Sequence, residues 1–295
     1  MSIDFTCKAF GKCIIAGEHA VLRGVPAVVF PIQSRNLDLS YSRGEQPLEL
    51  RLVGDHGKEL QLLVWGVLEK ACELKGIKRS DLKGTLLLES SIPVGAGMGA
   101  SAALCVALTR WLGYLGYVVE EDYYEFARNL ENLFHGESSG VDIAVALSGE
   151  GLRFVRNGEK KPLTPAWKPH WYISYSGKRG VTVDAVNKVK DLLLKNPTVG
   201  EKIDQQMAEA VGILETALKM DEKTGLPVLA KALTLAGDCF EKWDLNEGEP
   251  AKHIAWLKEQ GALAVKPTGS GGGGYVLSLW TSLPPAEIQS QLIPC

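Results

Sequence analysis

No stretch of this 295-residue chain approaches the roughly 18 consecutive apolar residues that a membrane-spanning helix requires. The opening MSIDFTCKAFGK has neither the basic start nor the long apolar core of a secretory signal, so a cytoplasmic protein with no membrane partner is expected. Six cysteines, Cys7, Cys13, Cys72, Cys105, Cys239 and Cys295, form no CxxC pair and no His/Cys cluster at zinc spacing, which reads as reduced thiols. Neither sign of charge is in excess: 32 basic and 35 acidic residues nearly cancel, with no basic block or aromatic-basic stripe of the kind that binds nucleic acid. A small-molecule partner is the better expectation. There is no internal repeat, and the absence of a GxxxxGK(S/T) sequence excludes a standard P-loop.

What is present is a normal globular composition, 45% hydrophobic, enough for a real core without staples. The first third carries strand-like runs, CIIAG, AVVFPI, LDLSYS, LELRLV and TLLLESSI, broken by Gly, Pro, Asn and Asp. Apolar positions at three- and four-residue spacing mark helices in ELQLLVWGVLEKACELKG, from Gly99 to about Leu115, and in EEDYYEFARNLENLFHG, where Gly136 stands near the end. After a strand GLRFVR, the run EKKPLTPAWKPH concentrates prolines and lysines and is the candidate boundary between two lobes, 1–158 and 159–295. Beyond it come a strand WYISYS, three amphipathic helices, and two strand-like arms, ALAVK and YVLSLW, around KPTGSGGGG. Strands first, helices mixed in later and no regular βα alternation predict an α+β fold.

Four stretches carry chemistry. In PVGAGMGASAA, Pro93 to Ala103, a helix starting near Gly99 would present free N–H groups and its positive dipole end to an anion. The Ser101 hydroxyl could then serve a metal ion shared with a nucleotide. The same stretch fits a tight strand-to-helix turn, and Gly95, Gly97 and Ala100 match the spacing of a dinucleotide fingerprint, with Glu120 about 20 residues on. Against that last reading, the run after the helix is two valines long and leads into another helix. GKCIIAGEHAVLRGVPAVVFPI reads as strand, turn and strand bearing Lys12, Glu18, His19 and Arg23, residues that equally suit a cleft or a solvated turn. In ENLFHGESSGVDIAVAL, Asp142 stands on apolar ground, where a carboxylate needs a cation or metal beside it; capping a short IAVAL helix is the alternative. KPTGSGGGG suits a phosphate-facing loop better than a linker, because strand arms flank it.

Taken in order, GKCIIAGEHAVLRGVPAV, PVGAGMGASAA and KPTGSGGGG resemble the three motifs of the GHMP small-molecule kinases over nearly the whole chain. The GEHAVLRGVPAV turn and HGESSGVD look most like its mevalonate kinase branch, which reads GEHxVVxGxPA and HGxPSGxDN. The resemblance implies a two-lobed α+β fold, with a ribosomal S5 domain 2-like N-terminal lobe and a ferredoxin-like C-terminal lobe. It also implies ATP and Mg2+ as cofactors, with a homodimer compatible. By motif position, Ser101 and Glu131 would hold Mg2+. Pro93, Gly95, Ala96, Gly97, Met98, Gly99, Ala100, Ser101 and Ala102 would cradle the nucleotide's phosphates, with Thr268, Gly269 and Ser270 closing over them. Asp142 would be the catalytic carboxylate beside Lys12, as proton acceptor or merely orienting the alcohol. Glu18 and His19 would lie at the acceptor alcohol, and Arg153 or Arg156 would meet the substrate carboxylate.

Departures surround the acceptor side: Ala100 replaces a usual serine, Glu137 and Ser138 replace a small or polar residue and proline, and Ile143 replaces asparagine. The expected activity is phosphorylation of mevalonate. Phosphomevalonate, homoserine or a sugar is the rival acceptor, and a non-catalytic sensor on a kinase fold or an NAD(P)-dependent oxidoreductase is the reading from another class.

Overall fold

The computed structural model describes residues 2–54, 57–135 and 138–295. The predicted Gly136 and Glu137 positions therefore lie outside the described residues. In chain order the elements are β1 (Phe5–Ala16), a 3-10 turn (Ala20–Arg23), β2 (Ala27–Pro47), β3 (Glu49–Val53), α1 (Gly57–Lys75), β4 (Lys83–Ser90), α2 (Ala100–Tyr114) and α3 (Tyr123–His135). There follow α4 (Val141–Ser148), β5 (Leu152–Phe154), β6 (Lys160–Pro162), β7 (His170–Tyr175), α5 (Thr182–Lys195), α6 (Pro197–Ala217), α7 (Glu222–Lys242), α8 (Glu249–Glu259), β8 (Ala264–Pro267), β9 (Tyr275–Trp280) and β10 (Ile293–Pro294). This is an α+β architecture, as the order of sequence signals predicts. Among the described residues no helix is long and apolar enough to cross a membrane.

The chain forms two compact units, and it crosses between them several times. One comprises the described chain up to Lys12, Arg35–Val94 and Met98–Gly149. Here β2 pairs antiparallel with β4, Leu37 opposite Ser90 through Ser42 opposite Thr85, and β3 lies parallel to β4 on its other side. Strand β4 alternates buried and exposed residues, the mark of a sheet with one covered face. Helix α2 packs on α3 and α4. It is buried almost all round, from Ala102 to Thr109 and again at Trp111 and Leu112, as a helix in the middle of a core must be. Its one interruption, Arg110, spends its guanidinium on the carbonyls of Lys8 and Leu147.

The second unit comprises Cys13–Ser34, Gly95–Gly97 and Glu150–Cys295. The first part of β2 pairs with β5, and β5 with β6. A separate sheet runs in the order β10-β7-β9-β8. Its inner strand β9 is buried at every residue, which explains why YVLSLW reads as an almost unbroken apolar run. Helices α7 and α8 lie against β8, and Ile254, Leu257, Val265, Val276 and Trp280 belong to one buried cluster there.

Three elements have no counterpart in the sequence reading, one of them β10, only two residues long. Helix α5 begins among β-branched residues and buries only Ala185 and Val189, so its periodicity is faint; β6 is three exposed residues, Lys160 to Pro162, in the proline-lysine run. The structure agrees with the reading against a dinucleotide fingerprint. After α2 the chain enters a 3-10 turn at Glu120–Asp122 and then α3, so no strand completes a βαβ unit and the Gly95, Gly97, Ala100 spacing is not a dinucleotide fingerprint.

Trp111 is fully buried, its ring tilted against Tyr41 at 5.5 Å between centroids. Trp111→Ala is expected to destabilise the chain by about 3–5 kcal/mol, read as a lower midpoint in urea unfolding.

Candidate active site

The loop from β4 to α2 holds Gly95, Gly97 and Gly99 at φ of 71°, 84° and 81°, a left-handed backbone that glycine adopts without steric cost. Gly99 is the N-cap of α2. No side chain caps that helix, and no acid stands in its first turn. Ala100 and Ser101 open it, Ser101 half-buried, with Ala102 already in the core. A helix start without a side-chain cap or acid presents N–H donors and the positive dipole end to whatever anion arrives.

Lys12 meets this helix start. It lies inside β1 rather than at a solvated strand end, and is 5% exposed. Its backbone N–H donates to the Met98 carbonyl at 2.9 Å, and a Cβ on Gly99 would stand 3.0 Å from Lys12 Cγ. Its Nζ is 3.2 Å from Asp142 Oδ2. Asp142 is therefore the carboxylate with a cation beside it. Although the short helix over IAVAL exists as α4, its N-cap is Gly140 and Asp142 sits within the first turn, so capping is not its role.

Glu131, on α3, is 2% exposed and accepts a hydrogen bond from the Ser138 hydroxyl. That hydroxyl also accepts from the Gly140 N–H at 3.0 Å, tying the start of α4 to α3. Burial, reinforced by the negative charge of Asp142, pushes the Glu131 carboxyl up to about 8. A cation placed between these two acids would relieve both effects. Among the described residues no three His, Cys, Asp or Glu side chains gather into a metal cage.

The second unit brings together the other motif residues. Thr268 Oγ1 donates to the Ile14 carbonyl at 2.9 Å and accepts from the Ile14 N–H at 3.1 Å, clamping the glycine loop to β1. His19 Nε2 lies 2.8 Å from the Ser270 carbonyl and must therefore carry the proton, while Trp243 and Phe240 meet the imidazole edgewise at 5.1 and 6.1 Å. Burial drives this imidazole down to about 4. Within the same unit a Cβ on Gly274 would stand 2.9 Å from the Ala96 carbonyl, so the last glycine loop, which begins at Gly269, adjoins the Gly95–Gly97 segment. Pro93, just before that segment, is half-buried.

Glu18 is sealed against Lys266, Nζ to Oε1 2.5 Å, with side chains 1% and 0% exposed. Arg153 is held by Glu215 at 3.0 Å and Glu159 at 3.6 Å, and Arg156 donates to the Leu22 carbonyl at 3.0 Å. Sequence reasoning singled out neither Lys266 nor Arg179, whose guanidinium packs directly on Gly95. For Lys266 a signal existed: a lysine in the apolar arm ALAVK needs a buried acid. For Arg179, in an irregular turn, there was none.

Residues 62–150 match the family model described as the GHMP kinases N terminal domain. The chain is 30% identical to a mevalonate kinase of Aeropyrum pernix over 92% of its own length and 87% of the relative's. It is 27% identical to a mevalonate kinase of Pyrococcus horikoshii at the same coverages. The L. major mevalonate kinase solved in complex with R-mevalonate shares the fold at a TM-score of 0.78 and 22% identity, covering 97% of this chain and 89% of that one. So does a Streptococcus pneumoniae phosphomevalonate kinase, at 0.71 and 15%, with 95% and 93% covered.

A histidine held neutral by burial has a definite pH signature. Because the His19 imidazole is lowered from 6.5 to about 4 on folding, the unfolded chain takes up its proton first as the pH falls. Its contribution is present at neutral pH and is lost progressively from pH 6.5 towards 4, reaching about 3 kcal/mol. Urea titrations across that range should show a smaller loss of stability for His19→Gln than for the wild type.

Proposed function

The chain belongs to the GHMP kinase family, and from that premise we propose that it transfers the γ-phosphoryl group of ATP to the primary alcohol of mevalonate, giving 5-phosphomevalonate and ADP. The observation that carries this reading is the Lys12–Asp142 ion pair, 3.2 Å long, beside a start of α2 that no side chain caps. In-line phosphoryl transfer asks for little covalent chemistry from the protein; it asks for position and for positive charge where negative charge gathers. By motif position the N–H groups opening α2 and Gly99 in the first unit, and Gly95, Gly97, Thr268, Gly269 and Ser270 in the second, are assigned to the nucleotide's phosphates.

An alcohol is far too weak an acid for a carboxylate to ionise beforehand, so Asp142 takes the proton late, as the bond from alcohol oxygen to γ-phosphorus forms and the bridging P–O bond to ADP breaks. Lys12 holds the developing oxyanion charge. The donors at Ser101 and Glu131 fit Mg2+: a hydroxyl and a buried carboxylate beside the like charge of Asp142. Mg2+ is commonly held by one or two protein oxygens, with waters and substrate phosphates filling the remaining positions. When bound it would neutralise charge on the phosphates. His19, Arg153 and Arg156 are assigned to the acceptor side, with Glu18 beside them. The division into lobes 1–158 and 159–295 belongs to the same proposal.

ADP release should require both mevalonate and Mg2+. Asp142→Asn should lower kcat by about 10²–10⁴-fold in a coupled ADP assay, and Ser101→Ala should raise the Mg2+ concentration needed for half-maximal turnover. Normal turnover by Asp142→Asn would remove the carboxylate from the mechanism. A panel with phosphomevalonate, homoserine and galactose fixes the acceptor: signal from one of these and none from mevalonate reassigns it.

A further inference from the structure

The Glu18–Lys266 pair is closed to solvent on both sides, unlike the Lys12–Asp142 pair, whose aspartate is 23% exposed. Lys266 lies in β8 with its Nζ 5.2 Å over the Phe240 ring. Its backbone side is packed by α7, where a Cβ on Gly237 would come within 3.3 Å of Lys266 Cβ. Burying two charges gains little net stability over an apolar pair, whereas removing one partner is strongly destabilising. The best-attested use of such a pair is to enforce register, because any slip leaves both charges unmatched.

What this pair registers is plain from its neighbours in the chain. Glu18 immediately precedes His19, whose backbone is held at φ 55°, a costly conformation for a non-glycine residue that the surroundings must impose. Lys266 stands two residues before Thr268. Between the segments 14–19 and 266–270 there are three ties: Thr268 to both backbone groups of Ile14, His19 to the Ser270 carbonyl, and Lys266 to Glu18. The loop then continues to Gly273 and Gly274, which pack on the backbone at 179–180 and on Ala96.

We propose that Glu18 and Lys266 are a positioning pair: by locking the turn at 14–19 to the strand end at 266–270, they set the conformation in which the glycine loop Gly269–Gly274 receives the nucleotide's phosphates. Glu18 thus acts through Lys266 and does not touch the acceptor alcohol. This rests on the phosphotransferase reading and refines it by moving Glu18 from the acceptor side to the nucleotide side.

The test uses the full chain and three variants, Glu18→Gln, Lys266→Met and the double Glu18→Gln/Lys266→Met. Equilibrium binding of a non-hydrolysable ATP analogue with Mg2+ is measured beside separate KM values for ATP and mevalonate, kcat and the melting temperature. Each single variant is expected to weaken analogue binding and raise KM for ATP by about tenfold, with KM for mevalonate moving far less. The double should lose about as much as a single variant and no more, because once one partner is gone the other has nothing left to hold.

Glu18→Gln with wild-type analogue affinity but a raised KM for mevalonate would overturn the proposal, since Glu18 would then contact the acceptor. A lower melting temperature with unchanged binding and kinetics would also overturn it, leaving only a structural role. So would a double variant worse than either single. If Lys266→Met does not fold, Glu18→Gln, which keeps an oxygen for Lys266, decides by the same readouts. A wild-type chain that binds the analogue but transfers nothing to mevalonate defeats the functional reading alone, and the binding comparison still judges the pair.

Discussion

A helix buried along its length cannot choose where its ends point, and that constraint governs the first unit. Helix α2 is buried from Ala102 to Thr109 and again at Trp111 and Leu112, so the position of its first turn is dictated by core packing at Trp111, Leu108 and their neighbours. Its start carries glycine at the cap and no acid, leaving a fixed array of donors with a positive field. The neighbouring start of α4 is the opposite case: it carries Asp142, and Lys12 stands beside that carboxylate. One helix end offers positive potential to an anion, the other holds a carboxylate against a lysine.

The two lysine-carboxylate pairs differ in a way that matters chemically. Lys12 and Asp142 retain some solvent access on the carboxylate side, which is what the proposed proton transfer from an alcohol requires. Glu18 and Lys266 are sealed, and a sealed pair serves as a fixed reference point. Phosphoryl transfer needs both kinds of group, one that participates and one that holds geometry while the reaction proceeds.

Much of the candidate site was legible because its residue types are improbable where they stand. Glycine recurs at 95, 97 and 99 because the backbone there is left-handed. Asp142 on apolar ground announced a partner, and Lys12 is that partner. Other features were silent for physical reasons. The Ser138 hydroxyl reaches Glu131 across seven residues of chain, and a serine looks the same in sequence whether it serves a turn or a buried acid. Lys266 reads as one polar residue in a strand, and its partner lies 248 residues away. Helix α5 was invisible because only two of its side chains are fully buried, which leaves little periodicity to read.

The sequence by itself determined the class of fold, the placing of most strands and helices, the glycine positions and the charged and hydroxyl residue types at the candidate site. Those properties are local: they follow from apolar spacing, from backbone conformations only glycine tolerates, and from short motifs. Only the tertiary structure decided which charges meet. Lys12 with Asp142 and Glu18 with Lys266 are pairings across more than a hundred residues, and Arg153 is held by Glu215 and Glu159. The energy of a charge depends on the dielectric and the partners around it, and both are set when distant segments pack together.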